Sequence, residues 1–124
     1  MKKEISNKYS TSLIAVDAFI DGHKKIINKQ DVLLLEDVSK LFEVSIQQIK
    51  EVIENEPTRF PSDFLFVTLD KTTNKNVLAF TIAGVFMLSG QISNNRADKI
   101  SIQLIELLVK RKPNIGFELL KNLE

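Results

Sequence analysis

The side chains able to do acid–base or metal chemistry are few and scattered. The chain has no Cys and a single His, His23. No disulfide can form, and neither a thiolate nor a His-rich metal site can be built. His23 stands beside Lys24, with Asp17 and Asp21 four residues apart just upstream. Carboxylates at that spacing belong more often to a solvated helix face than to a catalytic pair. The sequence carries no Ser/His/Asp set, phosphate loop or paired-carboxylate motif. It reads as a non-enzyme with no cofactor, in which any chemistry is that of charge and of hydrogen-bonding amides.

Charge is unevenly distributed. The net charge is +1, from 17 basic and 16 acidic residues, which is not the basic excess usual among nucleic-acid binders. From Glu36 to Glu56 six acidic residues face two lysines, a local −4. From Arg96 to Lys112 five basic residues face Asp98 and Glu106, a local +3, and Lys24, Lys25 and Lys29 form a second basic cluster. Each cluster by itself is compatible with an ordinary solvated face.

The elements that must position these groups fit one domain. The chain has 124 residues, 44% of them apolar, enough for a real core. It has no apolar run long enough to span a membrane, and the basic start MKKEISNKYSTS has no apolar stretch of a secretion signal. Residues 1–12 are expected to be a disordered tail and 13–112 a single domain. Residues 113–124 are expected to be a C-terminal tail that includes a short helix, and the compartment is expected to be the cytoplasm.

Within the domain, Leu13, Val16, Ile20, His23 and Ile27 fall on one helical stripe, so 12–29 reads as a helix running into a loop. VLLL follows as a short apolar run. EDVSKLFEV reads as a short helix, with Val38, Leu41 and Phe42 on one side. Ser45 caps IQQIKEVIENE, whose buried stripe is Ile46, Ile49, Val52 and Ile53. The break between the two, Glu43-Val44-Ser45, gives the outline of a helix-turn-helix. Pro57 ends the second helix at Glu56. Pro61-Ser62 suits the centre of a turn closed by Asp63. FLFVTL and VLAFT, joined by DKTTNKN, read as a β-hairpin. The first strand is apolar on both alternating sets and is expected to be covered on both faces, burying Phe60, Phe64 and Phe66. Thr81 caps IAGVFMLSGQI, and Ser93 or Asn94 caps RADKISIQLIELLVKRK. The last helix is apolar nearly all round, which predicts a homodimer contact or cover by GFELLKNL. The fold class is α+β: mainly helical, with a helix-turn-helix-like pair, one β-hairpin wing and two C-terminal helices.

Three motifs in this order have a counterpart. Arg59-Phe60-Pro61 with Asp63-Phe64 and Phe66, Phe80-Thr81 with Gly84 and Met87-Leu88-Ser89, and Ser93 with Arg96-Ala97 resemble the ORF-six N-terminal domain family. That family is a relative of the KilA-N domains of phages and bacterial mobile elements. The likeness covers roughly residues 30–112. It implies a DNA-binding regulatory module, of a kind often fused to phage antirepressor domains. The chain departs from the family at Glu54, where a basic residue is common, at Ile82-Ala83 in place of Glu-Gln, and at Ser101 in place of Asn.

On that reading the helix starting at Ser45 is the recognition helix. Gln47 and Gln48 suit adenine, and Lys50 suits guanine or phosphate. Thr72, Thr73, Asn74 and Lys75 at the hairpin tip are placed to touch phosphates, and Lys110, Arg111 and Lys112 to flank them. Because the helix ends acidic at Glu51, Glu54 and Glu56, only its first turn can approach a phosphate. The partners expected are DNA, a second copy of the chain and a repressor protein, with no membrane and no metal. The alternative is a protein-interaction or dimerisation module, antirepressor-like, that has kept the fold and lost DNA binding.

Overall fold

A computed structural model describes residues 16–111. The tails expected at 1–12 and 113–124 lie outside this range, as does Lys112. The order of elements is α1 (Val16–His23), β1 (Lys25–Ile27), β2 (Gln30–Leu34), α2 (Leu35–Phe42), α3 (Ile46–Asn55), a 3-10 turn (Pro57–Arg59), β3 (Leu65–Asp70), β4 (Lys75–Thr81), α4 (Ile82–Ser89) and α5 (Asn95–Arg111). The class is α+β, as the sequence predicts. Among the described residues no helix is long and apolar enough to cross a membrane.

The sheet is antiparallel with strand order β1-β2-β4-β3. It contains two hairpins where the sequence suggested one. The expected helix into a loop stops at His23, and Lys25–Ile27 pairs with Gln30–Leu34. Asn28 and Lys29 join them at φ 54° and 66°. Two successive residues with positive φ match the twist of a two-residue hairpin, which Asn tolerates better than most. The apolar run Val32-Leu33-Leu34 is thus a central strand, with β4 on its other side.

One face of the sheet carries the helices. Leu33 and Phe80 pack there with Val16 and Ile20 of α1, Val38, Leu41 and Phe42 of α2, Ile49, Phe60, Val85 and Leu88 of α4, and Ala97, Ile100 and Leu104 of α5. The other face holds a smaller cluster of Val32, Leu34 and Ala79 with Ile27, Phe66 and Val77 at its margin.

The turn after α3 is pinned from both sides. The Pro61 carbonyl accepts from the N–H groups of Phe64 (2.8 Å) and Leu65 (3.0 Å). Ser62 and Asp63 are therefore its central residues, one position later than the sequence suggested. Thr81 closes it: its N–H donates to the Phe64 carbonyl at 3.0 Å and its hydroxyl to the Asp63 carbonyl at 2.9 Å. The same hydroxyl oxygen accepts the Gly84 N–H at 3.1 Å, capping α4. Gly84 lies so close to this turn that a Cβ on it would overlap the Phe64 carbonyl.

Coverage of β3 differs from expectation. Phe60 is buried, but Phe64 and Phe66 are half-buried, while Val67 and Leu69 are 63% and 51% exposed. β3 is an edge strand, and the helical layer does not reach its outer half. Nor is α5 apolar all round in effect. Ala97, Ile100, Leu104 and Leu108 are buried in the monomer, leaving Ile102, Ile105 and Val109 exposed beside Asp98 and Glu106.

Gly84→Ala should lower the unfolding free energy by about 3 kcal/mol or more, because neither backbone can retreat without breaking the Thr81 bonds. Gly22→Ala, in open space on α1, should be neutral or stabilising by about 0.5 kcal/mol. Urea denaturation of the two variants checks both.

Candidate nucleic-acid interface

The helix break and the start of α3 are built by local bonding. Glu43 takes φ 57° and its N–H donates to the Ser39 carbonyl, ending α2. The Val44 N–H reaches the same carbonyl at 3.2 Å, and the Ser39 hydroxyl donates to the Val44 carbonyl. Ser45 then forms a full capping box. Its hydroxyl oxygen accepts the Gln48 N–H at 3.0 Å, and its own N–H donates to Gln48 Oε1 at 3.0 Å.

This gives the predicted contact residues different freedom. The Oε1 atom of Gln48 is held by the cap, so a two-bond contact to adenine would require it to leave Ser45. Gln47 is exposed and its amide donates to Glu51 at 3.4 Å. Lys50 is exposed, one turn on.

At the other hairpin, Lys71–Asn74 joins β3 to β4, with Asp70 paired to Lys75. The Asp70 carboxylate accepts the Thr72 N–H at 3.1 Å and its carbonyl accepts the Asn74 N–H at 2.7 Å. Asn74 sits at φ 57°, a conformation that Asn adopts more easily than most residues. Thr72, Thr73, Asn74 and Lys75 are all exposed.

An open groove of about 770 Å³ brings three of these residues together: Lys50 from α3, and Thr73 and Lys75 from the hairpin. Its floor includes Ile46, Val67 and Leu78, and Glu36, Asp37 and Asp70 also line it. A neighbouring groove of about 510 Å³ is lined by residues of both hairpins, Lys25 and Ile26 of one and Leu69, Lys71 and Thr72 of the other. Lys25 and Lys71 were not among the residues predicted to contact a ligand. Nothing in the sequence links them, because β1 itself was read as a loop. Gln48 lines a third groove, with Val44, Glu51 and Asn55. Lys110 and Arg111 lie on the last turn of α5.

The basic clusters are partly spent within the fold. Arg96 Nε donates to the Leu41 carbonyl at 2.7 Å, and its guanidinium lies 3.7 Å from the Glu43 carboxylate. It braces the end of α2 from the start of α5. Lys24 lies 3.3 Å from Asp31 and 3.8 Å from Asp21. His23 stacks on Phe19 at 4.0 Å, and its Nδ1 lies 2.9 Å from the Phe19 carbonyl.

The model of the ORF6N domain matches residues 23–91, more than half of the chain. This chain belongs to the ORF6N domain family. Neither a curated protein nor a solved structure matches it. The ORF6N match starts earlier than the quoted motifs, taking in the β1–β2 hairpin, and stops before α5. Ser93, Arg96 and Ala97 are therefore outside the matched residues. The ORF6N family is phage-associated. The other two motifs lie inside the match and build its fold: Phe60 and Phe80 are core residues, and Thr81 and Gly84 form the closure of the turn.

Arg96→Ala should cost about 1.5–3 kcal/mol of stability, since a charged donor leaves a helix-end carbonyl. Lys71→Ala and Lys75→Ala should stay within about 0.5 kcal/mol of the parent. Chemical denaturation separates the bracing cation from the surface ones.

Proposed function

We propose that this chain is a DNA-binding regulatory module of phage or mobile-element origin, non-catalytic, cytoplasmic and acting as a homodimer. The observation that carries the reading is the groove shared by Lys50, in the second turn of α3, with Thr73 and Lys75 of the hairpin. Membership of a phage-associated family supports it. The start of α3 enters the major groove, with Gln47 and, one turn on, Lys50 at the base edges. Free N–H groups at a helix start favour a phosphate nearby. The hairpin tip contacts the backbone, and Lys25 and Lys71 extend the same basic edge. The end of α3, with Glu51 and Glu54, stays clear of the phosphates.

The second reading is an antirepressor-like module that binds a repressor protein. It is favoured by Glu36, Asp37 and Asp70 in the same groove, and by the exposed side chains of Ile26, Val67 and Leu69.

Salt dependence separates the two. Binding to random-sequence DNA should weaken steeply as salt rises, in proportion to the phosphates neutralised. Lys75→Ala should weaken binding to all sequences and reduce the slope of log Kobs against log salt by about one. Gln47→Ala should instead change sequence preference. No binding at low salt, or slopes unmoved by Lys75→Ala, would hand the groove to a protein partner.

A further inference from the structure

Among the described residues β3 leaves one edge of the sheet unpaired and bonds to β4 alone. The Thr81 N–H donates to the Phe64 carbonyl and the Asn74 N–H to the Asp70 carbonyl, so Phe64, Phe66, Thr68 and Asp70 turn their backbone groups toward β4. Those of Val67 and Leu69 point outward, and the side chains of these two residues are the exposed ones. Edge strands are commonly blunted by Pro, by Lys, by a bulge or by short length. β3 is LFVTLD, six residues without Pro or Lys, in unbroken register with β4. The opposite edge, β1, is three residues long and starts with Lys25.

We propose that two copies of the chain join along β3, antiparallel, about a two-fold axis at Val67. The inference does not rest on DNA binding; it assigns the subunit contact to the sheet edge. Charge fixes the register. Centred on Val67, Leu69 faces Leu65 of the second copy, and the turn that carries Asp63 comes beside the loop that starts at Lys71 of the second copy at both ends. The two Val67 residues exchange their N–H···O bonds, and each Leu69 N–H meets a Leu65 carbonyl; the Leu65 N–H is already used by Pro61. Val67, Leu69 and Leu65 share one face of the sheet, so their side chains pair. A centre at Leu65 would set Asp63 against Val67 and bring Pro61 into the ladder. A centre at Leu69 would set Lys71 against Val67. Only the central register pairs apolar with apolar and opposite charge with opposite charge. The exposed stripe of α5 competes as an interface, but its backbone is satisfied within the helix and it offers side chains alone.

The contact is small, below the ~1,200 Å² of standard interfaces, so it should appear as a concentration-dependent monomer–dimer equilibrium. Sedimentation of the full chain without DNA, from micromolar to millimolar concentration, measures it. Asp63→Lys should weaken association roughly tenfold, as two attractive pairs become repulsive. Asp63→Lys combined with Lys71→Asp should restore it, because both pairs are rebuilt with their signs exchanged. The Thr81 bond is to the Asp63 backbone and survives the change. Since the chain has no Cys, Val67→Cys gives one thiol. In the facing pair the Cα atoms would be about 5.5 Å apart, within disulfide range, so mild oxidation should link the copies, whereas Ile105→Cys should not. Absence of association at millimolar concentration would overturn the proposal. So would association lost in Ile105→Asp but unchanged in Asp63→Lys, which would move the contact to α5. Failure of the double exchange to restore association would overturn the register.

Discussion

The helical side of the sheet depends on the contacts made by Thr81. One residue ends β4, bonds the turn that starts β3, and caps α4. Its hydroxyl acts as donor and acceptor at once, which fixes the rotamer. The arrangement needs α4 to start against the Phe64 carbonyl, and only a residue without a Cβ fits at Gly84. Val85 and Leu88 then enter the core at set positions, and Ala97, Ile100 and Leu104 of α5 pack in the same cluster. At the start of α5, Arg96 reaches back to the Leu41 carbonyl. The placement of the α2–α3 break, and with it Ser45 to Lys50, is thus tied to a hydroxyl in a different part of the chain.

Residues that mark the family and residues that could meet a ligand fall into separate sets. Phe60, Phe80, Thr81 and Gly84 are buried or half-hidden in bonding that builds the fold. Arg59 is exposed but lies 3.2 Å from Glu56 across the 3-10 turn. Such motifs make the scaffold recognisable and are silent about what its surface touches. Gln48 shows how one residue can mislead. By type it suits adenine, yet its side-chain oxygen completes the cap that starts its own helix.

Much of the fold was legible because local signals agreed. Ser45 with Gln48 three residues later, Thr81 and Asn94 as caps, and Pro57 as a stop each act through neighbours in sequence. The β1–β2 hairpin was not legible. Its turn is Asn-Lys rather than Asn-Gly, its first strand is three residues long, and Ile27 also continues the helical stripe of α1. Coverage was misread for a different reason. An apolar pattern reports which side chains avoid water, not whether a partner exists in the same chain, so Val67 and Leu69 looked like core. Of the candidate site, the residues were legible and their grouping was not. That Lys50 shares a groove with Lys75, or Lys25 one with Lys71, follows only from the way the sheet brings its two hairpins together.

The same distinction bears on the mixed charge of the larger groove. Its acids have structural roles. Glu36 and Asp37 lie in the first turn of α2, where negative charge complements the helix dipole. Asp70 holds the hairpin loop by accepting the Thr72 N–H. Among the described residues no hydrogen bond or ion pair holds the side chains of Lys25, Lys50, Lys71 or Lys75. A carboxylate at a helix start is explained without a ligand, whereas the ammonium groups of Lys50 on α3 and of Lys71 and Lys75 at the hairpin are left exposed. At physiological salt, charges more than about 8 Å apart are largely screened from one another, so a phosphate at the β3–β4 hairpin tip would respond first to the charges beside it, Lys71 and Lys75 together with Asp70. A chain of near-zero net charge can in this way present a basic edge, because the acids are placed where folding uses them and the lysines where it does not.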